Sequence, residues 1–115
     1  MRILVCGGRD FTDQAYVDKV LDMYLTYYGD FECVIVGGAK GVDTFAQQWA
    51  ESHKIPVKVF PAKWESFGKK AGYIRNLQMV TEGGPDAVIS FPGGKGTANM
   101  TKIAEEHGIW VLRPQ

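Results

Sequence analysis

Three glycine-rich runs carry the chemistry this chain can do. They are Gly7-Gly8-Arg9-Asp10, Gly37-Gly38-Ala39-Lys40-Gly41-Val42-Asp43 and Pro92-Gly93-Gly94-Lys95-Gly96-Thr97. Each follows a short, β-branched apolar run and leads into a segment of helical periodicity. Glycine lets a backbone N–H come close to a ligand, and a helix N-terminus offers unpaired N–H groups and a partial positive charge. The chemistry that suits this pattern is the holding of a phosphate. Turn geometry alone would account for one such loop; three at the same kind of junction favour a ligand site. None reads G-x-G-x-x-G, and Gly94-Lys95-Gly96-Thr97 lacks the contiguous G-K-[ST] of a P-loop, which sets aside a Walker-type NTPase and argues against a dinucleotide dehydrogenase.

Charged residues near these loops lean positive. Arg9, Lys40, Lys63, Lys69, Lys70, Arg75 and Lys95 stand against Asp10, Asp13, Asp43 and Glu65. Arg75 opens a helix after Ala71-Gly72 and is placed to fork onto a phosphate, with a salt bridge as its alternative use. Asp10 and Asp43 are candidate catalytic carboxylates, and both also suit turn or cap positions. Trp64 and Phe67 suit either base stacking or core packing. His53 and His107 fall at helix ends on the far edge, which argues against a histidine general base and a histidine-rich metal site. No cofactor is implied.

The elements that position these residues follow from two alternating periods. Residues 2–6, 33–36, 57–60, 87–91 and 109–112 are nearly continuous apolar runs, the signature of strands covered on both faces. Between them, Val17, Val20, Leu21, Tyr24, Leu25 and Tyr28 form one helical stripe. Val42, Phe45, Ala46, Trp49 and Ala50 form another, and Met100, Ile103, Ala104 and His107 a third. A weaker pattern marks residues 71–81. Thr12 or Asp13, Asp43 and Thr97 are the expected N-caps, and Gly29 and Gly108 the expected stops. Residues 61–70 read as a loop over the site. The expectation is one α/β domain over residues 1–115, a three-layer αβα sandwich around a five-stranded parallel sheet; if the order is 3-2-1-4-5, it reverses between the first and fourth strands. Ligands of such sheets bind at the carboxyl edge, where the strand order reverses.

Composition sets the bounds. The 115 residues carry 13 Lys plus Arg and 13 Asp plus Glu, and a net charge of zero argues against a general nucleic-acid partner. Cys6 and Cys33 sit in separate apolar runs and read as reduced core thiols. No apolar stretch approaches the ~20 residues that span a bilayer, so no membrane partner is expected. With no leader-like pattern after Met1, the expected address is cytoplasmic.

Taken together, these motifs resemble the YspA-type branch of the SLOG superfamily, which also holds the Lonely Guy phosphoribohydrolases and the DNA-processing protein A family. The likeness rests on residues 3–13, on 37–43 with Trp49-Ala50, on Phe60-Pro61-Ala62-Lys63-Trp64, on Ala71-Gly72-Tyr73-Ile74-Arg75-Asn76 and on residues 91–100. The resemblance implies a Rossmann-like domain that binds a nucleotide or nucleotide-derived ligand, often as a homodimer. It adds Asn76 and Pro92 to the candidate site. A second buried face suggested by Tyr16, Tyr24, Tyr27 and Tyr28 points to a homodimer too.

Catalysis is not implied so simply. Lonely Guy enzymes place glutamates where this chain has Asn99 and Met100, and the YspA-type pattern commonly has aspartate at 99 and histidine at 67. An amide and a thioether cannot stabilise oxocarbenium charge as a carboxylate does. The leading expectation is therefore a sensor or sequestering module. The alternatives are a nucleoside 5'-monophosphate phosphoribohydrolase using Asp10 or Asp43, and a single-stranded DNA binder.

Overall fold

The parallel sheet forms because its strands are apolar on both faces and must be covered on both. The computed structural model describes residues 1–114. Its strands are β1 (Arg2–Cys6), β2 (Cys33–Val36), β3 (Val57–Val59), β4 (Ala87–Ser90) and β5 (Trp110–Leu112), all parallel, in the order β3-β2-β1-β4-β5. The helices are α1 (Gln14–Tyr28), α2 (Val42–Ser52), α3 (Trp64–Phe67), α4 (Ala71–Thr81) and α5 (Lys95–Glu106), with a 3-10 turn at Gly68–Lys70.

Side chains of alternating parity divide between two cores. Ile3, Val5, Val34, Val36, Ala87 and Ile89 face one layer, where they meet Val17, Val20 and Leu21 of α1 and Val42, Ala46 and Trp49 of α2. Leu4, Cys6, Cys33, Ile35 and Val88 face the other, against Met79 and Val80 of α4 and Met100 and Ala104 of α5. Each fully buried valine, leucine or isoleucine contributes about 1.5–3 kcal/mol relative to an exposed one. Burial of both faces thus fixes the layers, and the strand order puts the topological reversal between β1 and β4.

The expected order and layers hold, and the boundaries shift by a residue. Phe60, Phe91 and Ile109 lie just outside the strands in which their apolar character placed them. Residues 61–70 hold α3 and the 3-10 turn where an irregular loop was expected. Asp13 is the cap of α1, its carboxylate accepting the Tyr16 N–H at 3.1 Å. Two of the expected caps are wrong: Gly41 caps α2 and Gly94 caps α5. The chain turns into both helices earlier than Asp43 and Thr97, which therefore lie inside the first turn. His53 and His107 do close their helices, and each ring contacts a carbonyl one turn back.

The tyrosines of α1 do not leave the second apolar face expected of them. Tyr16 packs edge-on to Phe91, and Tyr24 stacks on Tyr28, which meets Trp110. Only Met23 and Tyr27 of that helix stay largely open among its large apolar side chains. Both cysteines are free and buried.

Gly41 is where local conformation and close packing coincide. Its φ is +74°, and a Cβ there would collide with the Gly8 carbonyl oxygen. Gly94 has a φ of −98° with open space where a Cβ would stand. Gly41→Ala should cost more than about 2 kcal/mol in urea denaturation, while Gly94→Ala should stay within about 0.5 kcal/mol of the parent.

Candidate functional site

At the carboxyl edge the β1–α1 loop is wedged between its two neighbours. The Gly8 N–H donates to the Pro92 carbonyl at 2.8 Å, and the Gly8 carbonyl accepts the Val42 N–H at 3.3 Å. The three glycine runs therefore converge on one place. In front of them lies a cleft of about 360 Å³.

The cleft brings together most of the residues singled out from the sequence. Gly7, Gly8, Arg9 and Asp10 line it from the first loop, Asp43 from α2, Arg75 and Asn76 from α4, and Gly94, Lys95, Gly96 and Thr97 from α5. Gly37, Gly38, Pro92 and Gly93 do not line it. They lie behind the wall: Pro92 receives the Gly8 N–H, and the Gly37 carbonyl receives Arg75. Neither histidine reaches the cleft.

The α4 side of the cleft has a regular basis that the sequence carried unread. Gly72, Arg75, Asn76 and Met79 follow the i, i+3, i+4, i+7 spacing of one helix face, and all four line the cleft. Tyr73 beside them, with Met100, Cys6 and Ala39, was likewise missed. Trp64 closes the mouth, where the Arg9 guanidinium lies 5.3 Å from its ring centroid. Phe67, the other aromatic expected to stack or pack, lines a different groove.

Arg75 is a strut rather than a free fork. Its Nη1 donates to the carbonyls of Gly37 and Phe60, and its Nε to the Asn76 side-chain oxygen at 3.0 Å. Burial lowers its affinity for a proton, partly offset by the nearby Asp43 charge. It thus supplies positive potential to the cleft while holding the β2 and β3 exits together. Asn76 extends the brace, donating to the Gly96 carbonyl at 3.1 Å and the Asn99 side-chain oxygen at 3.0 Å. Asn99 is accordingly tied up in fixing the first turn of α5 to α4.

Asp43 is the buried carboxylate of the site. Its Oδ2 accepts the Ala39 N–H at 3.1 Å. Burial pushes its carboxyl above the usual carboxylate range, and the Ala39 N–H and the Arg75 charge pull in the opposite direction without cancelling it. The Cys6 thiol, also on the cleft wall, is pushed up to about 12 by burial, so it is a neutral lining group and not a nucleophile. Four cations, Arg9, Lys69, Arg75 and Lys95, share the cleft with two carboxylates, Asp10 and Asp43. Among the described residues no cluster of His, Cys, Asp and Glu could hold a metal ion. No helix among them is long and apolar enough to cross a membrane.

Comparison with known proteins agrees with this arrangement of loops. A family model described as YspA, cpYpsA-related SLOG family matches residues 1–67, which include the first two glycine runs. The chain belongs to that family. The chain is also similar end to end to the Gene 61 protein of Mycobacterium phage D29. The two are 35% identical over 120 residues, covering 96% of this chain and 94% of the phage protein. No solved structure matches the chain.

Asp43 gives the site a measurable pH signature. A carboxyl whose folded-state pKa lies above its unfolded value binds its proton more tightly in the native state. Relative stability is then greatest below about pH 4, where both states are protonated, and is lost as pH rises through the folded value. At pH 7 the buried charge is a net cost. Asp43→Asn should therefore raise the Tm at pH 7, and its advantage should shrink as thermal melts are repeated down to pH 3.

Proposed function

We propose that this protein binds a phosphate-bearing nucleotide or nucleotide-derived ligand in the carboxyl-edge cleft and acts as a sensor or sequestering module. The observation that carries the reading is the open space at Gly94 and Gly96, where added side chains would meet nothing within 4 Å at the start of a twelve-residue helix. The N–H groups of that first turn have no partners within the helix and suit phosphate oxygens. Gly7 to Asp10 complete the cradle, and Arg9, Lys69 and Lys95 supply charge at the rim. Arg75, held in the cleft wall by the carbonyls of Gly37 and Phe60, adds its positive field. The apolar floor of Met79 and Met100 beneath Trp64 suits a sugar and a stacked base. Membership in the SLOG family is consistent with a nucleotide-related role.

Gly94→Asp places a carboxylate where the phosphate would sit. Calorimetric titration with nucleoside monophosphates should show a loss of at least about 100-fold, against a change within about threefold for the matching nucleosides. The Tm of the free variant should stay near the parent's, because the position is open. Equal losses for both ligand classes would move the phosphate to the loop at residues 7–10.

A hydrolytic reading draws support from Asp43, a carboxylate in the cleft whose proton affinity burial raises. Against it stand Asn99, engaged with Asn76, and the thioether of Met100. Base release from nucleoside monophosphates should therefore be undetectable by chromatography over hours. Turnover abolished by Asp43→Asn in a folded variant would establish the enzyme instead.

A further inference from the structure

Arg9 pairs with no carboxylate among the described residues and rests instead on an aromatic face. It is exposed, and its guanidinium lies 5.3 Å from the Trp64 ring centroid. The ion pairs among the described residues are Arg2–Glu32, Asp22–His53 and Arg113–Glu105, none of which includes it. Both partners line the ligand cleft, Arg9 from the β1–α1 loop and Trp64 from α3. The Trp64 ring is 47% exposed. Its edge lies at the start of α4, where a Cβ on Gly72 would stand 3.4 Å from Cη2.

The backbone of Arg9 is held while its side chain is free to move. Its neighbour Gly8 donates to the Pro92 carbonyl at 2.8 Å, beside the loop that enters α5. On the other side, a Cβ at Gly41 would come within 2.7 Å of the Arg9 carbonyl oxygen. Arg9 is thereby anchored between the starts of α2 and α5, next to the turn where the phosphate is proposed to sit. Its charge also acts inward, on both Asp43 and Arg75. Arg75 itself is committed to the carbonyls of Gly37 and Phe60.

Resting on the reading of the cleft as a nucleotide site, we propose that Arg9 is its specificity-determining residue. Its guanidinium caps Trp64 in the free protein and moves to the phosphate when a nucleotide binds. An exposed cation–π contact is weaker than charge-assisted hydrogen bonds to a phosphate, so the phosphate draws the guanidinium away. The exchange uncovers the Trp64 face for the base. A nucleoside must displace Arg9 and offers it no new partner. A nucleotide brings that partner together with the ring that takes the vacated place. Base and phosphate are thus coupled through one side chain, and the cleft selects ligands that carry both.

Tryptophan fluorescence isolates the first half of the exchange, because inorganic phosphate alone should move Arg9 off Trp64. Phosphate should change the emission of the parent beyond a sodium chloride control of equal ionic strength. Arg9→Ala and Trp64→Phe should each abolish that change, with Trp49 and Trp110 left as internal references. Calorimetry with the monophosphates of adenosine, guanosine, cytidine and uridine, and with the free nucleosides, tests the second half. Arg9→Ala should weaken the nucleotide that the parent binds by about tenfold or more. The same variant should bind the matching nucleoside roughly two- to fivefold more tightly, since no cation–π contact has to be broken. Arg9→Gln serves the same purpose should Arg9→Ala fail to fold. Three results would each overturn the exchange and leave the nucleotide site standing: losses for nucleotide and nucleoside alike, an unchanged nucleotide affinity, or emission that answers phosphate only as it answers chloride. Binding of none of the monophosphates would overturn the nucleotide site, and the exchange with it.

Discussion

The site depends on the close approach of three backbones at Gly8. One residue there serves two neighbours, its N–H donating to the Pro92 carbonyl and its carbonyl accepting the Val42 N–H. Side chains at Gly7, Gly41 or Gly93 would each intrude on that junction, from Val42 and Phe91, from the Gly8 carbonyl, or from the Gly8 nitrogen and Thr97. The loops from β1, β2 and β4 can converge only because this much side chain is missing. Once they have, the start of α5 is presented to the cleft with nothing in front of it.

Polar groups then fix the mouth of the cleft in place of apolar packing. Arg75 reaches from α4 to the carbonyls that leave β2 and β3, and Asn76 reaches to α5. The wall is therefore a network of hydrogen bonds around a half-buried guanidinium and a buried carboxylate, both unfavourably desolvated. A packed apolar core of the same size would be more stable. That stability comes from elsewhere, from the two apolar layers that cover the sheet. The two edges of the sheet differ accordingly. At the amino edge, Arg2 donates to the carbonyls of Gly83 and Gly84 and to the Glu32 carboxylate, which ties that end together.

Helix α4 is where local pattern and tertiary role separate most clearly. It carries no single apolar stripe, because it serves three surroundings at once. Met79 and Val80 face the core, Gly72, Arg75 and Asn76 the cleft, and Ile74 and Leu77 the groove that Phe67 lines. A helix with three faces has no single hydrophobic stripe to read.

The sequence by itself determined the layers and the edge at which the glycine loops gather, and the structure fixed the strand order. Continuous apolar strands demand cover on both faces, and glycine after β1, β2 and β4 marks the carboxyl edge whatever the details of packing. It also located eleven cleft residues among its candidates. Only the tertiary structure decided which atoms face the cleft. The caps of α2 and α5 moved to Gly41 and Gly94 because the chain had to turn beside Gly8, which no local preference for aspartate or threonine could report. Arg75 became a strut because its partners are carbonyls 38 and 15 positions away. Gly37 and Gly38 went behind the wall for the same reason. Such long-range pairings are set by how the layers dock, and a linear pattern of residue types does not contain that distance.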